Sequence, residues 1–155
     1  KIKTLVLGGH GDTMVPMPNR TTINGKSLIE LIKENKITKE KLEDIITRTR
    51  KGGAEIIKFL QKGSAFYAPA ASGVEMAESY IKNLKKTLPC AAYLNGEYGF
   101  NKLYAGVPAI IGNKGVEKIV EIKLDTKEKE NFEVSVKAVK DLLKIAIKID
   151  PSLAN

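Results

Sequence analysis

The sequence predicts an α+β fold in which long helices back an antiparallel sheet. Strand signals gather in one block, residues 88–122, instead of alternating with helices. Within it, the tight link Gly112-Asn113-Lys114-Gly115 joins two apolar runs and reads as a hairpin. Helical periodicity occupies the flanks, before the block and again from Asp125 onward.

Taken in order, residues 3–8 alternate and end in Gly8-Gly9, a strand running into a loop that carries His10. Pro16, Pro18 and Asn19 keep the next segment irregular or extended. A helix start is marked at Thr38, which can cap, with Glu40 in the first turn and Ile37 able to staple onto Leu42. Leu42, Ile45, Ile46 and Thr49 make a one-sided stripe that Gly52-Gly53 interrupts and Ile56, Ile57 and Leu60 resume. One long helix, kinked or broken near the glycine pair, is expected. A second helix is expected from Ala68 to Lys86, with Met76, Tyr80 and Leu84 on one face. Strands follow at 88–94, 102–111 and 115–122. The last helix opens at Asp125 with Glu128 completing a capping box. Phe132, Val136, Val139, Leu143 and Ala146 form its expected buried stripe, and Asp150-Pro151 ends it.

At 155 residues the chain fits one domain, residues 1–155, long enough to bury roughly 70% of its unfolded surface. Apolar residues make up 43% and charged residues 28%, an ordinary globular balance. No apolar run approaches the roughly 20 residues of a membrane span, and the start, Lys1 to Leu7, is too short for a signal peptide. There is no initiator methionine, so the chain can be trimmed or a piece of something larger. The single cysteine, Cys90, lies in an apolar stretch without a nearby histidine and reads as a buried structural thiol. A reducing, cytoplasmic setting is therefore expected. The net charge of +8 raises nucleic acid as a partner, but arginine occurs only at 20, 48 and 50 and the lysines are interleaved with acids. Solvated helix faces explain that pattern, and no nucleic acid or membrane partner is expected. A basic surface can still draw in a small dianionic substrate.

Chemistry concentrates at His10, the only histidine, set in Gly8-Gly9-His10-Gly11-Asp12-Thr13-Met14-Val15-Pro16. Its glycines let the backbone approach a ligand closely. An imidazole titrates near neutral pH, so it can take a proton in one direction and return it in the other. The alternative is a loop histidine that only bonds backbone. One histidine and one cysteine far apart give no metal-ligand spacing. A dinucleotide-binding turn needs G-x-G-x-x-G between a strand and a helix. Here Gly8-Gly9-His10-Gly11 has the wrong spacing, and Gly52-Gly53, Gly112 and Gly115 read as kink and turn. Residues 63–72, Gly-Ser-Ala-Phe-Tyr-Ala-Pro-Ala-Ala-Ser, are small and end at a helix start. They suit either a close helix contact or the wall of an anion pocket.

The His10 segment resembles the active-site segment of the lactate/malate dehydrogenase family, most of all that of the bacterial malate dehydrogenases that are similar to lactate dehydrogenase. The resemblance covers almost the whole chain. It runs through Arg48–Ile56 and Gly63–Ser72 on the substrate-side helices, Tyr104–Gly112 and Gly115–Val120 in the hairpin, and Ser135–Lys140 in the final helix. It implies an NAD-dependent oxidation of malate to oxaloacetate in which His10 accepts the hydroxyl proton. It further implies that Ser64, Ala65 and Pro69 wall the pocket near substrate and nicotinamide, and that the protein is a homo-oligomer, dimer or tetramer. The family's glycine-rich NAD domain, its histidine-orienting aspartate and its substrate-gripping arginines all precede this segment and are absent from the chain. Asp12 follows His10 and does not replace the aspartate. By itself the chain is expected neither to bind NAD nor to turn over malate. A lactate dehydrogenase fragment, or a stand-alone binding or assembly module, remains an alternative.

Overall fold

The computed structural model describes residues 1–154. Its N-terminal stretch is built from short strands, β1 (Ile2–Lys3), β2 (Val6–Leu7), β3 (Val15–Pro16), β4 (Thr22–Ile23) and β5 (Lys26–Ser27), followed by helix α1 (Leu28–Lys33). Two longer helices come next, α2 (Lys39–Leu60) and α3 (Tyr67–Ile81). The main sheet follows as β6 (Lys86–Asn95), β7 (Asn101–Gly112) and β8 (Gly115–Ile119), and α4 (Thr126–Ile149) closes the fold. Every strand pairing among the described residues is antiparallel, in the orders β1-β4-β5, β2-β3 and β6-β7-β8. This is the α+β fold that the sequence predicts.

The core lies between the sheet and α4. Alternation along the strands sends Ala92 and Leu94 of β6, and Leu103, Ala105, Val107 and Ala109 of β7, to one buried face. Phe132 and Val136 of α4 cover that face, and Leu7, Val15 and Met17 seal one end. On the opposite face Tyr93 and Tyr104 stand directly across from each other, edge to face at 5.3 Å. Two prolines also face each other, Pro89 and Pro108. The Pro108 carbonyl accepts the Val120 N–H at 2.8 Å, so the missing Pro108 donor points to the side where β8 has just ended. Pro89 then points out of the edge strand, and neither proline costs a ladder bond.

Both helix starts read from sequence are present. Thr38 accepts the Lys41 N–H, and Asp125 and Glu128 form a reciprocal capping box. The Gly112–Gly115 hairpin is in place, and α4 stops at Ile149 before Asp150-Pro151.

Other expectations are corrected. Gly52-Gly53 does not break α2, which is one helix of 22 residues. Along the same helix Arg48 clamps Glu55 two turns on, with bonds of 2.9 and 2.7 Å. The helix expected at 68–86 ends at Ile81, because Asn83 and Lys85 take left-handed backbone (φ 49° and 52°) and Lys86 already pairs with Ile111. Its point of burial is Ser79, whose hydroxyl donates to the Ile111 carbonyl at 2.7 Å, while Tyr80 is exposed. The α4 stripe is buried only at its first half, and Leu143 is already exposed. The strand expected at 3–8 is split into β1 and β2, and β8 stops at Ile119. A hairpin turning at Asn24-Gly25 and the capped helix α1 were not expected, although Asn-Gly and Ser27-x-x-Glu30 are their ordinary signals.

Candidate active-site loop

β2 and β3 pair through Leu7 and Val15, both buried, so the segment between them is a loop with its two feet in the core. His10 sits near its tip and is exposed. The loop leaves the core along the far edge of β7, which two segments share in succession. β8 covers Ala109 to Gly112, and beyond it Gly8 forms a reciprocal bridge with Gly106, with N–H to carbonyl distances of 2.9 and 2.7 Å. Glycine is required at both positions. A Cβ on Gly106 would lie 2.6 Å from the Gly8 carbonyl oxygen, and one on Gly8 would lie 2.2 Å from the Ser135 hydroxyl. Gly8 also has a φ of 88°, which a side chain would strain.

Two further elements hold the loop. From α4, Ser135 Oγ accepts the Gly9 N–H at 2.8 Å and donates toward Thr13 Oγ1 at 3.5 Å. From α2, Arg50 Nε donates to the Met14 carbonyl at 3.0 Å. Inside the loop the Met14 N–H closes a turn onto the Gly11 carbonyl at 3.0 Å. The imidazole is thus carried on backbone fixed from three sides, with its ring open to solvent. Asp12 is exposed beside it.

The other residues singled out from sequence lie elsewhere. Ser64 and Ala65 are in the connection between α2 and α3, and Pro69 is in the first turn of α3. Ser64 and Pro69 are exposed and Ala65 is half-buried. No described hydrogen bond joins them to the His10 loop; the link from that side of the molecule is Arg50. Cys90 is half-buried at the core margin, where burial pushes its thiol up, as suits a structural side chain. Among the described residues no group of three metal-ligating side chains occurs, and no helix is long and apolar enough to cross a membrane. The glycines that sequence reasoning weighed for a dinucleotide differ in their surroundings, and Gly11, Gly52, Gly53 and Gly115 have open space beside them. Gly8 and Gly9 face Ser135 and Val139, and Gly112 faces Glu117 and Asn83, so at these three positions side chains occupy the space beside the backbone.

Ser135, Arg50, Thr13 and Gly106 were not recognised from sequence as parts of the site. For Ser135 a signal existed. It occupies a stripe position between Phe132 and Val139, where a hydroxyl needs a partner. The partner itself, 126 residues away, has no local signature.

The family profile described as lactate/malate dehydrogenase, alpha/beta C-terminal domain, matches residues 1–149. The chain belongs to the lactate/malate dehydrogenase family. It is 62% identical over 154 residues to the malate dehydrogenase of Pelagibacter ubique (strain HTCC1062), covering 99% of this chain and 48% of that protein. Among solved structures it is similar to Cryptosporidium parvum malate dehydrogenase, with a TM-score of 0.90, 43% identity, and coverage of 92% of this chain and 46% of that one. It is equally similar to Eimeria maxima lactate dehydrogenase with NADH and oxamate, with a TM-score of 0.92, 40% identity, and coverage of 97% and 47%. The chain therefore spans about half the length of the relatives it matches, as this family's C-terminal domain.

Proposed function

We propose that this chain is the substrate-binding half of an NAD-dependent malate dehydrogenase, with His10 as the group that accepts the hydroxyl proton when malate becomes oxaloacetate. The observation that carries the reading is the loop itself. The chain's one imidazole stands open to solvent on backbone that α4, β7 and α2 all fix. A general base must be placed accurately and be free to meet its substrate, and this arrangement provides both. A neutral ring takes the proton in malate oxidation and returns it when oxaloacetate is reduced.

Ser64, Ala65 and Pro69 wall the pocket in this reading, as small or rigid residues that leave room for substrate and nicotinamide. NAD is the dinucleotide, in keeping with the NADH in the Eimeria maxima enzyme's structure. In this reading it is held by residues outside this chain, since no G-x-G-x-x-G turn between a strand and a helix occurs in the sequence. The whole protein is a homo-oligomer, dimer or tetramer, in the cytoplasm. Lysines paired with carboxylates, such as Lys26 and Lys36 with Glu34 and Lys137 with Asp141, support a solvated surface over a nucleic-acid-binding one. The name of the Pelagibacter relative, malate dehydrogenase, supports malate as the substrate. The similarity to a lactate dehydrogenase bound to oxamate keeps lactate as the second reading.

His10→Asn in the full-length protein decides the assignment. Malate turnover falls at least about a hundredfold, the ordinary worth of a general base, with the fold unaffected by circular dichroism. A variant that oxidises malate at near wild-type rate removes His10 from the reaction. Wild-type enzyme that prefers lactate over malate replaces the substrate.

A further inference from the structure

We infer that Ser135 is a positioning residue for His10, a role that rests on the reading of His10 as proton acceptor. Ser135 is fully buried, between Phe132 and Val136 on the side of α4 that covers the sheet. A hydroxyl there is costly to bury unless it is bonded. Both of its observed partners belong to the His10 loop and bracket the histidine. The Gly9 N–H, immediately before His10, donates to Ser135 Oγ at 2.8 Å, and Thr13 Oγ1, three residues after it, lies 3.5 Å away.

The support behind Ser135 is fully buried. Val136 is 0% and Phe132 1% exposed. Gly8, the residue before Gly9, has no room for a Cβ beside the Ser135 side chain, so the loop is seated against that hydroxyl. Ser135 touches no reacting atom. It acts by fixing the peptide that carries His10, and thereby the line along which the ring meets the substrate hydroxyl.

The test is Ser135→Ala in the full-length enzyme, beside His10→Asn and the double variant. Alanine is smaller and a better helix former, so α4 is retained. Losing the hydroxyl lowers kcat for malate about 10- to 100-fold while KM moves less than about threefold, since a misplaced group costs rate more than binding. In the His10→Asn background the same change adds almost nothing, because the two residues act as a unit. Two readouts need no turnover. Gly9 amide exchange accelerates at least about tenfold once its acceptor is gone. The His10 ring, identified in the full-length enzyme by the signals that His10→Asn removes, shows shifted or broadened NMR signals. Thr13→Val, which leaves α4 untouched, gives a smaller loss in the same direction and serves if Ser135→Ala does not fold.

Wild-type kcat in Ser135→Ala overturns the inference, and so does an equal loss with and without His10. If Thr13→Val is the variant that must serve, wild-type kcat there overturns it too. Full turnover in His10→Asn removes the underlying reading instead, and Ser135 then has nothing to position.

Discussion

Two long helices of this chain begin alike and end in different circumstances. α4 and α2, of 24 and 22 residues, are both capped by a side-chain oxygen and both strongly amphipathic. α4 carries Phe132, Ser135 and Val136 to full burial against the sheet. α2 buries no residue, and its Ile45, Ile56, Ile57, Phe59 and Leu60 are exposed, as are Phe66, Tyr67 and Val74 in and before α3. The first half of α2 does find apolar neighbours, where Leu42, Ile45 and Ile46 line a cleft of about 250 Å³ with Val6, Pro16 and Met17. An apolar stripe therefore states that a helix has a side to cover. Whether the chain owns the covering surface is a separate fact. The His10 loop bridges the two regimes, seated on the self-sufficient part through Ser135 and Gly106 and touching the uncovered part through Arg50.

The sharpest way to break this contrast is to delete one phenylalanine from each side. Phe132→Ala empties a site that is 1% exposed and packed against Tyr98 and Phe100. It costs about 3–5 kcal/mol in urea unfolding of this chain. Phe59→Ser, at a residue 77% exposed, changes the same measurement by less than about 0.5 kcal/mol. Equal losses would show that α2 is buried in solution and end the comparison.

Next in size is Ala65→Leu in the full-length enzyme, which tests whether the uncovered side contributes a pocket wall. Malate turnover falls by about tenfold or more, while the melting temperature moves by only a few degrees. Normal kinetics with a much lower melting temperature would make Ala65 a packing residue and nothing else.

How much of this was legible follows the same division. The α+β class, the caps at Thr38 and Asp125, the Gly112–Gly115 hairpin and the first half of the α4 stripe were readable, because each depends on neighbours within a few residues or on a period along one element. The end of α3 was not. It rests on left-handed backbone at Asn83 and Lys85, where only asparagine is a usual choice. The unbroken α2 was hidden too, since two adjacent glycines read locally as a kink or break while the helix runs through them. At the site, His10 stood out by its glycines. The clamp that holds it joins residues 126 apart, and no periodicity reports such a contact.

The smallest expected effect is at the surface, where Glu34 accepts bonds from Lys26 and pairs with Lys36, tying the β4–β5 hairpin to the end of α1. Those partners lower its carboxyl from 4.5 to about 2. A depressed carboxylate stabilises the fold above its ordinary pKa, so this contribution is complete above pH 4.5 and is lost as pH falls from there to about 2. The pair is exposed and the effect on stability is small, so the carboxyl carbon is followed by NMR titration. A midpoint near 4.5 would dissolve the bridge.

We propose a division of labour, in which this chain supplies the proton acceptor on its own scaffold and leaves the dinucleotide to residues it does not contain. Titration calorimetry of the purified chain against NADH, then against NADH with malate or oxaloacetate, meets that claim head on. The expected result is no heat beyond dilution in either titration, from protein whose β6–β7 and α4 amides are protected from exchange. Micromolar NADH binding by the chain alone would contradict it and require a cofactor site among these residues.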